Sequence, residues 1–238
     1  MYTIERRVGV SQTDKNGRLS LRGALDYIID CCLFQVEALE EFGEFLRRNS
    51  FSMFQVHIQA DIRRMPAYGE KLAISTSIYE CRNFYGFRNT MIRDEAGKVC
   101  LATYATGAFV NLKTARPEKL SPEVIASIKF DPQEEMEYLP RKIALPADGV
   151  WTAGTARAVS ANMLDMNGHM NSNWYVSLAE EMLPDDLAWN RLRIEYKQQS
   201  RQNEIIHPAA CRKDADTLAV KIEGEDAAPH AVLEFSRF

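Results

Sequence analysis

The sequence predicts an α+β protein made of two tandem copies of one unit, each a strand, a helix and an antiparallel meander. Three observations carry this. An early helical stripe is followed by segments in which apolar and polar residues alternate, the same order of elements recurs after residue 150, and the two stretches share residues when aligned. At 238 residues, 46% apolar and 26% charged, the chain has globular composition and can bury a substantial core.

From the start, YTIERRVGV reads as a strand and DKNGRLSLRG as a turn into a helix. In that helix Leu21, Leu25, Ile28, Ile29, Cys32, Val36 and Leu39 share one face, and the stripe runs to about Leu46, which makes it the longest helix. FSMFQVHIQADI alternates, with Phe54, Val56, Ile58, Ala60 and Ile62 on one side and Gln55, His57, Gln59 and Asp61 on the other. That pattern predicts a half-buried antiparallel strand. KLAISTSIYECR, FYGFRNTMIRD and KVCLATYATGAFVNL continue the meander, with DEAG as the hairpin turn between the last two.

Residues 116–148 hold five of the nine prolines and an acidic cluster, so they read as a crossing segment with one short helix after Ser121. The expected organisation is therefore a first unit over 1–116, a linker over 117–149 and a second unit over 150–238. In the second unit VWTAGTARAVS is strand-like. A helix follows in which Tyr175, Leu178, Ala179 and Met182 recur at helical spacing until Pro184, and RLRIEYKQQS, TLAVKIEG and AVLEFSRF are strands.

Aligning Asp14 with Asp165 lays VGVSQTDKNGRLS over VSANMLDMNGHMN. Asn16 then falls on Asn167 and Gly17 on Gly168, but Arg18 falls on His169. Aligning Asp61 with Glu195 lays Met65 over Gln199. Two copies of one unit are fused, and only the second has the full polar constellation Asp165, Asn167, His169 and Gln199. Asp and Asn are common turn and capping residues, so Asp165 and Asn167 also have a purely structural reading. His169 beside them, with an Arg in the other copy, points to chemistry. His57, His207 and His230 have no such company and read as surface or strand residues.

Other chemistries lack their signatures. An EF-hand loop starting at Asp165 would need Glu at its twelfth position, where Val176 stands. GxSxG, HExxH, GxGxxG and GxxxxGK[ST] are absent, and Ser200 and Cys211 lack an activating sequence context. Cys31, Cys32, Cys81, Cys100 and Cys211 form no CxxC pair, so neither a metal site nor any other cofactor is expected, and a reducing compartment fits. A net charge of -4 argues against nucleic acid. No apolar run reaches the roughly 18 residues of a membrane span, and the start lacks a secretory pattern, which predicts a cytoplasmic protein without a membrane partner. The basic pairs Arg47-Arg48, Arg63-Arg64, Arg141-Lys142 and Arg191 with Arg193 read as solvated surface.

The strand, the turn DMNGHMNSNWY, the helix and the meander together resemble the hotdog fold, in which an antiparallel sheet wraps a central helix. Two fused copies resemble the plant-type acyl-ACP thioesterases and their bacterial relatives over nearly the whole chain. Met65-Pro66-Ala67-Tyr68-Gly69-Glu70 is similar to the family's turn after its long strand, and FVNLKTARPEKLSPEV to the stretch leaving its first hotdog. The resemblance implies hydrolysis of a fatty acyl thioester on acyl carrier protein, with Asp165, Asn167 and His169 at the catalytic positions. Where the family often has a carboxylate followed by Cys, this chain has Gln199-Ser200, and a Gln cannot accept a proton as a carboxylate does.

On this reading the oxyanion falls to backbone N–H groups near Gly168, with Asn167 positioning substrate or water. Asp165 serves as general base or orients His169, and Gln199 helps to place the water. Met53, Phe54 and Met65 of the first unit would line the acyl tunnel. Acyl carrier protein is acidic, so it would meet a local basic patch, for which the Arg pairs are the candidates. The resemblance also allows a homodimer. Two other readings stay open: an acyl-CoA thioesterase of the same fold, and a non-catalytic acyl-binding hotdog, which Gln199 favours.

Overall fold

The computed structural model describes residues 1–238, which divide into two compact units, Met1–Tyr138 and Leu139–Phe238. No helix is long and apolar enough to cross a membrane.

The first unit begins with β1 (Tyr2–Arg7) and a turn that delivers Ser20, whose hydroxyl accepts the N–H of Gly23 and caps α1 (Leu21–Ala38). The predicted continuous helix breaks at Leu39, where the backbone leaves helical geometry (φ −87°, ψ 79°), and α2 (Glu40–Arg48) sets off in a new direction. Gly43 makes the bend possible, because a Cβ there would stand 3.0 Å from the carbonyl oxygen of Val36. The bend carries Phe42 and Leu46 into a cluster with Ile78, Phe109, Leu120 and Ile128.

The meander is β2 (Phe51–Ile62), β3 (Lys71–Arg82), β4 (Tyr85–Asp94) and β5 (Val99–Asn111), with the short β6 (Arg116–Pro117) on β5. Its strand order is β1-β3-β4-β5-β2, antiparallel throughout. Helix α1 lies on this sheet, where Cys31 Sγ meets the Ile74 carbonyl at 3.3 Å and Gln35 donates to that of Thr76 at 3.4 Å.

β2 departs from its predicted alternation. A bulge between Gln55 and His57 inserts Val56, so Met53 pairs with Phe109 before it while Ile58 pairs with Ala105 after it. Met53 and Ile58 thus share the helix side, and Phe54 lies on the opposite face from both. The polar side is not solvated either: His57, Gln59 and Asp61 are 0%, 0% and 4% exposed. Residues 134–138 cover it, with Gln59 donating to the Glu137 carbonyl at 2.8 Å and the Tyr104 ring centred 4.9 Å from, and tilted against, the rings of both His57 and Tyr138. Much of the proline-rich segment therefore belongs to the first unit. It includes α3 (Pro122–Ala126), which begins where predicted, after the cap Ser121.

The second unit contains β7 (Thr152–Ala153), β8 (Arg157–Ala158), α4 (Ser172–Glu180), β9 (Arg191–Tyr196), β10 (Ile205–Arg212), β11 (Leu218–Glu223) and β12 (Pro229–Ser236). Its strand order is β9-β12-β11-β10, with β7 and β8 both against β10. The sequence pattern missed β10, whose Pro208 has no N–H for a ladder and sits opposite Ile222. Arg191 and Arg193, expected on the surface, are 3% and 7% exposed. Arg193 pairs with Glu234 at 2.7 Å, and Glu234 also holds Lys213 at 2.7 Å, while the Arg191 guanidinium lies 5.0 Å from the centre of the Phe238 ring.

Candidate active site

Asp165 builds the turn that carries the constellation. Its Oδ1 accepts the backbone N–H of Asn167 at 2.8 Å and of His169 at 3.1 Å. The N–H of Asp165 donates to the His169 carbonyl at 2.8 Å, and that of Gly168 to the Asp165 carbonyl at 3.1 Å. Gly168 supplies the left-handed residue, φ +75°. Helix α4 starts only afterwards, capped by Asn171, whose side chain accepts the N–H of Asn173 at 2.9 Å.

The first unit repeats this turn bond for bond. Asp14 Oδ1 accepts from Asn16 and Arg18, both at 2.9 Å, and Gly17 has φ +69°. The attachment to the next loop repeats too: Met170 donates to the Ser200 carbonyl at 2.8 Å and Leu19 to that of Pro66 at 2.7 Å, while His169 pairs with Arg201 as Arg18 pairs with Ala67. Turn formation alone therefore accounts for Asp165 Oδ1, Asn167 and Gly168, since the other copy uses them for nothing else. What remains particular to the second unit is Oδ2 of Asp165, whose counterpart on Asp14 faces Asn16 Nδ2 at 3.5 Å, and the half-buried His169, whose Nδ1 is enclosed without a hydrogen bond. Gln199 is exposed and precedes the residue whose carbonyl anchors Met170.

A second constellation lies under the turn. Ser200 Oγ stands 2.7 Å from His230 Nδ1 and accepts from the Tyr175 hydroxyl at 2.9 Å, while Glu204 Oε1 is 3.5 Å from His230 Nε2. Tyr175, Ser200 and His230 are 2%, 0% and 3% exposed. Burial pushes the Tyr175 phenol up, so it remains a neutral donor. Their counterparts in the first unit are Ala24, Pro66 and Cys100. Cys100 is matched by its carbonyl, which accepts from Arg63 and Arg64 as that of His230 accepts from Lys197 and Gln198. Glu204 has a true counterpart in Glu70, and each carboxylate holds an N–H of its own loop, Arg201 at 2.9 Å and Ala67 at 2.7 Å. The alignment that set Arg18 against His169 also sets Ala24 against Tyr175, and this was the available signal.

The expected tunnel residues part company. Met53 borders a small apolar cavity with Phe42, Ile78, Phe87 and Phe109, whereas Phe54 faces the other way and Met65 is half-buried, its carbonyl 3.4 Å from Arg18 Nη1. The cavity measures about 10 Å³, room for roughly one water, so in this form it is too small for an acyl chain. Of the basic pairs, Arg47-Arg48 and Arg141-Lys142 are exposed, and Arg64 is engaged by Glu70 and Asp94 at 2.9 and 2.8 Å.

A comparison with curated protein sequences found no match. Among solved structures the chain is similar to an acyl-ACP thioesterase from Bacteroides thetaiotaomicron, at 17% identity and a TM-score of 0.87, covering 98% of this chain and 96% of that one. It is also similar to the 12:0-ACP thioesterase from Umbellularia californica, at 13% identity and a TM-score of 0.79, covering 99% and 96%. At such identities the likeness establishes the hotdog fold. The family profile for the acyl-ACP thioesterase N-terminal domain matches residues 1–128, more than half of the chain. With that match beside a double hotdog and a His-bearing copy of its duplicated turn, the chain belongs to the acyl-ACP thioesterase family, a family of thioester hydrolases.

Proposed function

We propose that the chain hydrolyses a fatty acyl thioester on acyl carrier protein, releasing the fatty acid and the carrier. The observation that carries this reading is the exchange of Arg18 for His169 on otherwise identical turns, because an imidazole can take and return a proton near neutral pH and a guanidinium cannot.

Hydrolysis needs a base for water, a partner for the carbonyl oxygen as it gains charge, and a proton for the departing thiol. The N–H groups of Asn167, Gly168 and His169 are all engaged within the turn, so the oxyanion would fall to side-chain donors, foremost the exposed Asn167 amide. Oδ2 of Asp165, which no group of the protein bonds, would orient His169 or take the water proton itself. Gln199 would hold the water by hydrogen bonds. Met53 and the apolar residues around it would receive the acyl chain after the cavity opens.

Ser200 is a poor nucleophile despite its partners. It is fully buried, and its Oγ is saturated by Tyr175 and His230, whereas an attacking atom must come within about 3–3.5 Å of the carbonyl.

The test is fatty acid release under multiple turnover from matched acyl-ACP and acyl-CoA panels, with His169→Ala alongside. Turnover that favours the carrier, falls as salt rises and vanishes in the variant supports the reading. Preference for acyl-CoA would reassign the carrier. Tight acyl-ACP binding without release would favour the non-catalytic reading that Gln199 suggests.

A further inference from the structure

The first unit buries a positive charge that nothing in the protein neutralises. Arg88, on β4, is 6% exposed, and neither Nη1 nor Nη2 has a hydrogen-bond partner. Its strand neighbours are Ile78 and Ala105. No carboxylate pairs with it. The thiols close enough to feel its charge, Cys31 and Cys81, are both pushed up to about 11 by burial and stay neutral near pH 7. A bare guanidinium in such surroundings is costly and calls for an anionic or strongly polar partner.

The surroundings indicate which kind. Arg88 borders the cavity enclosed by Phe42, Met53, Phe87 and Phe109, so its partner must arrive through apolar walls. The cavity accepts about one water as it stands, but its walls include a movable side chain: Met53 lies over Gly107, with Cγ 2.7 Å from where a Cβ would be. At the break between α1 and α2 is an open depression of about 280 Å³ lined by Ala38, Leu39, Glu40, Glu41 and Ser127. Phe42 borders both spaces.

We propose that this cavity is a binding site for an aliphatic chain ending in a carboxylate, which pairs with Arg88 after Phe42 and Met53 give way. The carboxylate has two chemical sources: the head group of a free fatty acid, or the far end of an acyl group that carries a terminal carboxyl. The site lies within the first unit and its binding test does not depend on thioester hydrolysis.

The experiment is calorimetric titration of the full chain with decanoate and with 1-decanol, for the wild type and Arg88→Met. Decanoate should bind at least about tenfold more tightly than decanol to the wild type, the scale of one charge-assisted hydrogen bond, and the difference should vanish in the variant. Because Arg88→Met removes an unpaired buried charge at similar volume, its unfolding midpoint should rise. Equal binding of acid and alcohol, a preference that survives Arg88→Met, or no binding together with a lower midpoint in the variant would each overturn the proposal. The last would mean that an internal water satisfies Arg88.

A second arm, resting on the proposed hydrolysis, compares decanoyl and ω-carboxydecanoyl thioesters of N-acetylcysteamine. An Arg88-dependent preference for the carboxylated chain assigns the site to the substrate, and its absence beside Arg88-dependent decanoate binding assigns it to the free acid. If neither thioester is cleaved, hydrolysis requires the carrier that these analogues lack, and the decanoate titration still decides the site.

Discussion

The hydroxyl of Ser200 lies 2.7 Å from Nδ1 of His230. The Tyr175 hydroxyl accepts the Ser200 N–H at 3.1 Å and donates to Ser200 Oγ at 2.9 Å. Ser200 Oγ thus joins the Tyr175 hydroxyl to one ring nitrogen of His230, while Nε2 faces Glu204 Oε1 at 3.5 Å. Ser200→Ala strands two buried groups and should cost about 1–3 kcal/mol in urea denaturation. Thioester hydrolysis should survive it. Abolished hydrolysis at an unchanged midpoint would mean that Ser200 attacks the substrate.

Gly224 guards the same imidazole. A Cβ there would stand 2.4 Å from His230 Nε2 and 2.9 Å from Glu204 Oε1, so Gly224→Ala must push the ring off Ser200. Denaturation should register a loss of about 1–3 kcal/mol, the usual range for overpacking, and a variant as stable as the parent would show that the ring has room to move.

Asp165→Asn separates charge from turn formation. The Asn oxygen can still accept from Asn167 and His169, so circular dichroism and the midpoint should change little, with a cost under about 1 kcal/mol. Turnover should collapse if the carboxylate charge serves the reaction. Full activity in this variant would reduce Asp165 to a turn former like Asp14.

Arg64 sets part of the acid response. It holds Glu70 below 4.5 and Asp94 below 3.8, in each case chiefly by hydrogen bonding the carboxylate. A carboxyl with a lowered folded pKa favours the folded state at pH above its unfolded value, and that contribution is lost as pH falls through the lowered one. Arg64→Met should therefore lower stability near neutral pH and flatten the decline below about pH 5, so that the two stability curves converge in acid. Curves that stay parallel would remove the ion pair from the explanation.

The repeat was legible because turns are written locally: Asp14-x-Asn16-Gly17 and Asp165-x-Asn167-Gly168 each specify their fold within a few residues. The burial of β2 was not, since the cover on His57 and Gln59 comes from residues 134–138, far along the chain. Helical periodicity ran through Leu39 because Val36 before the bend and Phe42 and Leu46 after it continue the apolar spacing of three and four, and apolar spacing does not encode a change of axis. In the candidate site, Asp165 and His169 were visible as neighbours. The Ser200–His230 contact joins residues brought together only by the sheet, and His230 alone in a strand carries no mark of it.

The duplicated turn makes the protein its own experimental control. A change at Asp165 that impairs turnover by loosening the loop can be copied at Asp14, where the same hydrogen bonds are broken but no imidazole stands. Subtracting the effect at Asp14 from that at Asp165 leaves the share owed to chemistry, measured within one polypeptide and one buffer.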